Sequence, residues 1–208
     1  MDRDELAALI AYSSNKQDTS YKKYGYEPDT YFNTKDTNVL VKNNIPYVLH
    51  RGSKSIKDFR LDAELILGRD VTTSKRFRRA NNITKAVEKK YKTKANAIGY
   101  SLGGLMAEFS TAQGKIYTYN KAATIQGLLK KTNPKQIDIR REGDIISGLA
   151  AFNKNTVTLQ ATVNLNKKYI TTHNPLTQNY YLSKALFYDP HVEPLQHRSY
   201  KTDNITTF

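Results

Sequence analysis

The chain has 208 residues, of which 38% are hydrophobic, enough for one globular domain whose core needs no disulfide or bound metal. It contains no cysteine, which excludes disulfides, zinc-thiolate clusters and a cysteine nucleophile. Its 33 lysines and arginines against 19 aspartates and glutamates give a formal net charge of +14, which favours an anionic partner, either a membrane surface or a nucleic acid.

No stretch of the sequence approaches the roughly 18 to 20 apolar residues of a membrane-spanning helix. The N-terminus is acidic, and the apolar run over residues 6–11 is too short for the core of a signal peptide. We therefore expect a protein that is not classically secreted but intracellular, cytoplasmic or virion-associated.

The first part of the chain is predicted to form a helix, a hairpin and a second helix. Apolar residues at helical spacing indicate a helix over residues 4–14. Two strand-like runs, residues 39–42 and 45–50, flank an Asn-Asn pair that tolerates positive φ, which predicts a hairpin. A long basic helix is expected over residues 74–91, with its charges on the solvated face.

The remainder alternates between strands and helices. The predicted elements are a strand over 95–100, a helix over 102–113 closed by Gly114, a strand over 115–120, a helix over 122–131, a strand over 136–140 and a strand or edge hairpin over 156–165. Such alternation is typical of an α/β fold with a mostly parallel central sheet and helices on both faces. We expect one domain over residues 1–188 and a polar C-terminal tail over residues 189–208.

A Gly-x-Ser-x-Gly motif joins the strand predicted over residues 95–100 to the helix after it. It reads Gly99-Tyr100-Ser101-Leu102-Gly103. A strand, a tight turn and a helix in this order raise a serine hydroxyl out of the backbone as a nucleophile, and the two glycines let neighbouring backbone approach the turn. The motif therefore predicts Ser101 as a nucleophile, provided that suitable partners follow it.

A serine nucleophile needs a histidine base and a carboxylate that orients the histidine, and the chain order serine, acid, histidine is one that recurs. Asp144 lies in the turn Glu142-Gly143-Asp144 that follows the strand predicted over residues 136–140, where an acid partner belongs. Asp138 lies inside that strand and Asp189 lies beyond the favoured histidine, so both fit less well.

Three of the four histidines follow the serine. His173 lies in a loop before a helix predicted to begin near Leu176, from which its imidazole can reach the serine. His191 and His197 lie in the polar tail, and His50 ends a strand that precedes the serine. His173 is therefore the expected base.

Acyl transfer also needs N–H donors for the oxyanion that forms on the attacked carbonyl. One donor is the backbone N–H of Leu102, at the start of the predicted helix. The other is expected from the loop Arg51-Gly52-Ser53, in which Gly52 permits a turn and Ser53 offers both an N–H and a hydroxyl. Ser53 and Leu102 are therefore the predicted oxyanion hole.

Taken together, these motifs resemble the class 3 lipases, the family of the filamentous-fungal triacylglycerol lipases. The resemblance covers roughly residues 5–187 and rests on residues 48–53, 55–62 and 99–104. The chain departs from the family pattern in three places: His50 replaces a common aromatic residue, Tyr100 replaces the usual histidine before the serine, and Phe59 stands where tryptophan is frequent. None of these changes removes a catalytic group.

The resemblance implies an α/β-hydrolase fold without a cofactor or a metal. It implies Ser101 as nucleophile, Asp144 as orienting acid and His173 as base. It further implies an oxyanion hole from Ser53 and Leu102, and a lid around residues 55–67.

The expected activity is hydrolysis of carboxylic esters of lipids through an acyl-enzyme. The positive charge favours phospholipids or lysophospholipids over neutral fats, because each Lys or Arg near an anionic lipid surface contributes about 1 kcal/mol. A peptidase or a thioesterase would use the same residues. The alternative is a non-enzymatic basic binding protein on a hydrolase scaffold, whose residues 75–79 contact phosphates of a nucleic acid or an anionic membrane, although no nucleic-acid motif is present.

Overall fold

A computed structural model describes residues 1–53, 71–122, 124, 133–141, 156–159 and 194–195. In these ranges the chain forms the helices α1 (Arg3–Ser14), α2 (Lys75–Tyr91) and α3 (Leu102–Glu108), with 3-10 turns at Ser20–Tyr24, Thr30–Phe32 and Val71–Thr73. The strands are β1 (Glu27–Pro28), β2 (Thr37–Lys42), β3 (Ile45–His50), β4 (Asn96–Tyr100), β5 (Ile116–Tyr119), β6 (Gln136–Arg141), β7 (Thr156–Leu159) and β8 (Pro194–Leu195).

The strands lie side by side in one sheet, in the order in which they occur along the chain. From β3 to β7 each strand runs parallel to the next. β1 and β2 at one edge and β8 at the other pair antiparallel. Parallel neighbours joined by crossover segments, with helices against the sheet, define an α/β architecture. The predicted α/β class with a mostly parallel sheet is confirmed.

The hairpin between β2 and β3 follows from its two turn residues. Asn43 has φ 51° and Asn44 has φ 60°, the left-handed conformation that a two-residue type I′ turn requires at both positions. The turn pairs Lys42 with Ile45 and sets the register along both strands. The hairpin predicted from the sequence is confirmed.

One face of the sheet packs against α1 and is rich in tyrosine. Leu9 and Ile10 of α1 are buried there in one cluster with residues of five consecutive strands, among them Leu40, Leu49, Ile98, Tyr117 and Ile139. The same cluster buries Tyr12, Tyr21, Tyr26, Tyr100 and Tyr119. Burial raises the pKa of Tyr117 to about 12, so this tyrosine stays uncharged over the whole physiological range.

The opposite face of the sheet packs against α2 and α3. Val87 of α2 is buried with Val39 and Val48, and Ala107 of α3 is buried with Ala97 and Ile116. α2 connects β3 to β4, and α3 connects β4 to β5. Connections of the same handedness between successive parallel neighbours lie on the same face of a sheet. Helices on both faces of the sheet, as predicted, are therefore present.

The helix after Ser101 is shorter than the predicted range of 102–113, which is wrong at its C-terminal end. α3 ends at Glu108. Beyond it, the amides of residues 111, 113 and 115 donate to the side chains of Asn81, Glu88 and Asn96, at 2.8 to 3.0 Å. These donors are satisfied by α2 and β4 instead of by another turn of helix. Gly114 is not a helix cap, since its N–H donates to the carbonyl of Ala95.

Several predicted elements fall partly or wholly outside the described residues. The strand predicted over residues 156–165 is present over Thr156–Leu159, and the rest of it lies outside. Most of the helix predicted over residues 122–131 also lies outside. Among the helices that the structure does describe, none has both the length and the hydropathy to cross a bilayer.

Replacing Leu9 with alanine tests the α1 layer. Leu9 is fully buried, so Leu9→Ala should lower the free energy of unfolding by about 2 to 5 kcal/mol. The matched control is Ile45→Ala at an exposed position, 40% accessible, where the loss should stay below about 1 kcal/mol. Urea denaturation followed by circular dichroism measures both, and equal losses would contradict the packing described for α1.

Candidate active site

Ser101 lies at the carboxyl end of β4, in a turn that leads directly into α3. Its backbone has φ 53° and ψ −122°, a conformation that non-glycine residues rarely adopt. Its N–H donates to the carbonyl of Tyr119 at 3.0 Å, and its carbonyl accepts from the N–H groups of Gly104 and Ala122 at 2.9 and 3.3 Å. Backbone strain persists only where the surrounding structure enforces it, and this form is typical of a nucleophile elbow.

Two glycines permit the close packing around this turn. A Cβ at Gly99 would lie 2.0 Å from the carbonyl oxygen of Gly103, and a Cβ at Gly103 would lie 2.0 Å from the carbonyl oxygen of His50. Both distances are far inside van der Waals contact with backbone, so no larger residue fits without a shift of the main chain. The first contact lets α3 begin tightly against β4, and the second lets it pass the end of β3. The role predicted for both glycines is confirmed.

The loop Arg51-Gly52-Ser53 leaves the sheet at the same edge as Ser101. β3 and β4 are parallel neighbours, with His50 opposite Gly99. Gly52 lies directly against Tyr100, since a Cβ at this position would lie 2.9 Å from Tyr100 Cδ1 and 3.0 Å from its carbonyl oxygen. Leu102 begins α3, where an N–H has no acceptor within the helix. The loop therefore lies beside the turn that carries Ser101 and Leu102, and the oxyanion role of Ser53 and Leu102 stays a prediction.

Two polar residues from other elements hold this loop in place. The Arg51 N–H donates to the carbonyl of Asp36 at 3.0 Å, and the Arg51 guanidinium lies 3.2 Å from the Asp36 carboxylate. Arg76 of α2 donates from its guanidinium to the Arg51 carbonyl oxygen. The basic composition of α2 predicts Arg76 on the solvated face, but the structure shows a half-buried side chain that clamps the loop. This role could not be predicted from the sequence, because nothing in a run of basic residues shows which of them contacts a backbone carbonyl.

A buried charged network lies on the α3 side of the sheet. Lys121 Nζ lies 3.0 Å from Glu108 Oε1 and 2.8 Å from Asp138 Oδ2. The Gln136 amide donates to both carboxylates at 3.2 and 2.8 Å, and the Thr118 hydroxyl donates to Asp138 at 2.6 Å. Two carboxylates around one ammonium group need these added donors, because buried charge is costly without them. Asp138, which fits the acid partner less well on sequence grounds, is engaged in this network.

His50 is a buried imidazole at the end of β3. It is 1% exposed, its Nδ1 lies 3.5 Å from Thr37 Oγ1, and its Nε2 has no hydrogen-bond partner among the described residues. Burial, with a smaller contribution from the positive charge of Arg76, lowers the pKa of His50 to about 3. The imidazole is therefore neutral near pH 7.

Asn120 is a second residue whose structural role was not predicted from the sequence. It directly follows β5, is 1% exposed and has φ 42°, and its N–H donates to the carbonyl of Ile139 at 2.8 Å. The available signal was an asparagine at the carboxyl end of a strand, since asparagine tolerates the left-handed region better than most residues. Asn120 extends the pairing of β5 with β6 by one residue beyond the end of β5.

The remaining predicted site residues cannot be placed. Asp144, His173 and the lid segment over residues 55–67 lie outside the described residues, so their roles stay predictions. β6, the strand before Asp144, ends at Arg141 and is separated from β4 only by β5. Because the three strands are parallel, β6 ends at the same edge as β4, about 10 Å away.

Within the described ranges, no three residues of the kinds that bind metals are grouped closely enough to hold an ion. A comparison of the chain with protein families, curated proteins and solved structures finds no match in any of the three.

Replacing the two adjacent glycines of α3 separates the backbone contact from helix propensity. Gly103→Ala should lower the free energy of unfolding by about 3 kcal/mol, because its Cβ overlaps the His50 carbonyl. Gly104→Ala places its Cβ 3.1 Å from the Lys121 side chain and gains about 1 kcal/mol of helix propensity, so its net effect should be small. Urea denaturation compares the two variants, and an equal effect would contradict the proposed packing.

Acid should destabilise the protein through His50. Its pKa is lower in the folded state than in the unfolded chain, so the unfolded state binds the proton first as the pH falls below about 6.5. Between there and about pH 3, the free energy of unfolding should decrease by up to about 1.4 kcal/mol per pH unit from this group. His50→Phe removes the titration, and its unfolding free energy should fall less steeply over the same range. Parallel curves for the two proteins would refute this account.

Proposed function

We propose that this protein is a serine hydrolase that cleaves carboxylic ester bonds of lipids. The observation that supports the proposal is the strained backbone of Ser101 at φ 53° and ψ −122°, between a parallel strand and a helix and packed on two glycines. A strained turn of this kind is retained where function requires it, and it presents the hydroxyl at the carboxyl edge of the sheet. The position of the Arg51-Gly52-Ser53 loop at the same edge adds support.

In the proposed mechanism, His173 removes the proton of the Ser101 hydroxyl while Asp144 orients the imidazole. The alkoxide attacks the ester carbonyl, and the oxyanion accepts hydrogen bonds from the Leu102 N–H and from Ser53. The collapse of this intermediate breaks the ester bond, and His173 returns the proton to the leaving alcohol. Water then hydrolyses the acyl-enzyme by the same route, which releases the acid and restores Ser101. No cofactor is needed.

The architecture fits an α/β-hydrolase of the class 3 lipase type, and we propose this assignment on three features. They are the strand, turn and helix around Ser101, the loop after the neighbouring strand, and the strand before Asp144 two positions along the sheet. The excess of basic residues favours phospholipids or lysophospholipids at an anionic membrane surface as substrates. The alternative, a non-enzymatic basic binding protein on the same scaffold, has the same charge but no need for a strained serine.

A fluorophosphonate probe tests the nucleophile directly. The full-length protein should be labelled, and Ser101→Ala should abolish labelling and reduce ester hydrolysis by at least about 10⁴-fold, since the other groups act through this serine. The matched control is Ser14→Ala at the exposed end of α1, which should label like the parent protein. Labelling that survives in Ser101→Ala would exclude Ser101 as the nucleophile, and an unlabelled parent protein would favour the binding protein.

A further inference from the structure

The positive charge of the protein is concentrated on one short stretch. Residues 75–94 contain nine lysines and arginines and one glutamate, a net charge of +8, while the whole chain of 208 residues carries +14. More than half of the net charge thus lies in about a tenth of the chain. Most of this stretch is α2, whose apolar side is buried against the sheet.

Six of these cations form a line along the outer side of α2, which we call the α2 stripe. Its members are all exposed: Lys75, Arg78, Arg79, Lys85 and Lys89 follow helical spacing within α2, and Lys92 is the C-cap residue directly after it. None of the six forms an ion pair within the part of the chain that the structure describes. Arg76 and Lys90 differ, since they bind the Arg51 carbonyl and the Asp29 carboxylate.

The α2 stripe works against the stability of its own helix. Like charges three or four residues apart, as in Lys75 with Arg79 and Lys85 with Lys89, repel each other on a helix surface. The first turn of α2 contains no acidic residue, and cations at a helix N-terminus oppose the helix dipole. The described part of the fold therefore gives no reason for this charge, whereas an anionic partner would.

The N-terminal end of α2 lies at the same edge of the sheet as Ser101. Arg76 contacts the Arg51 carbonyl in the loop beside Ser101, and Phe77 is buried in one cluster with Leu102. α2 then runs back along the sheet, so Lys89 lies about 21 Å along the helix from Lys75. Lys75, Arg78 and Arg79 are thus near the candidate active site, and the rest of the stripe is distant from it.

We propose that Lys75, Arg78 and Arg79 form the docking surface for an anionic phospholipid bilayer and turn the Ser101 edge toward it. The orientation of the active site rests on the proposed function, whereas the binding of lipid does not. Phosphate and carboxylate groups of lipid heads match this charge without a shaped pocket. Proteins that bind single-stranded nucleic acid stack the bases on aromatic side chains, but the exposed positions of α2 are only Lys, Arg, Asn and Ala.

Cosedimentation with vesicles tests the docking surface. The probe is phosphatidylcholine vesicles that contain an equimolar share of phosphatidylglycerol, with pure phosphatidylcholine as the neutral reference. The triple variant Lys75→Gln, Arg78→Gln and Arg79→Gln should bind the anionic vesicles on the order of 100-fold more weakly than the parent protein. The parent protein should bind pure phosphatidylcholine weakly, and salt should reduce its binding to the anionic vesicles.

The matched control variant is Lys85→Gln, Lys89→Gln and Lys92→Gln, which loses the same charge farther along α2. Beyond the screening length of about 8 Å at physiological salt these cations contribute little, so their loss should weaken binding less than about tenfold. Equal losses in the two variants would overturn the proposal in favour of net charge alone. An unaffected first variant, or binding of duplex DNA without binding of vesicles, would also overturn it. Fluorophosphonate labelling of Ser101, measured without vesicles, reports separately on the proposed hydrolase.

Discussion

The candidate site depends on one backbone contact, the approach of Gly103 to the His50 carbonyl. This contact fixes how closely α3 passes the end of β3, and therefore where the loop Arg51-Gly52-Ser53 stands relative to Ser101. Asp36, before β2 in the chain, binds the N–H and the guanidinium of Arg51. Arg76, in α2, donates to the Arg51 carbonyl oxygen. The seven residues of α3 are too few to form a stable helix alone, so α3 itself depends on this packing. The strained conformation of Ser101, directly before α3, is thus enforced by the packing of several elements.

Charge is used in two different ways in this molecule. Inside, Lys121 lies between two carboxylates, and these carboxylates also accept hydrogen bonds from Gln136 and Thr118, as buried charge requires. Outside, the α2 stripe carries cations that form no ion pair with any other described residue, on a helix that would be more stable with fewer of them. The formal charge of +14 is therefore not a uniform property of the surface. The proposed hydrolase of membrane lipids would need both a rigid nucleophile and a means of reaching an anionic surface.

Much of the fold is readable from local sequence signals. The Asn43-Asn44 turn requires positive φ at both positions, the buried face of α2 repeats every three or four residues, and the glycines flanking Ser101 mark a close approach. The end of α3 could not be predicted, since residues 109–113 continue the helical pattern while the amides of Thr111 and Gln113 bind side chains distant in sequence. Arg76 was hidden for the same reason, because its partner is a backbone carbonyl brought near only by tertiary packing. The loop Arg51-Gly52-Ser53 leaves the sheet beside the turn at Ser101 and Leu102, and the catalytic roles of Ser53, Leu102, Asp144 and His173 remain predictions.

The buried network of Lys121, Glu108, Asp138 and Gln136 has a consequence for the way this structure opens. Glu108 is the last residue of α3, Lys121 follows β5, and the other two residues belong to β6. If α3 detached alone, Lys121 and Asp138 would stay buried after the Glu108 carboxylate had left the network. This costs more free energy than exposing Lys121 and Asp138 to solvent together with α3. The turn at Ser101 should therefore lack a local opening route of low free energy and unfold only together with the centre of the sheet, as one cooperative unit. The part of the molecule that carries Ser101, the proposed nucleophile, would then be protected from fluctuation by residues outside the proposed catalytic set.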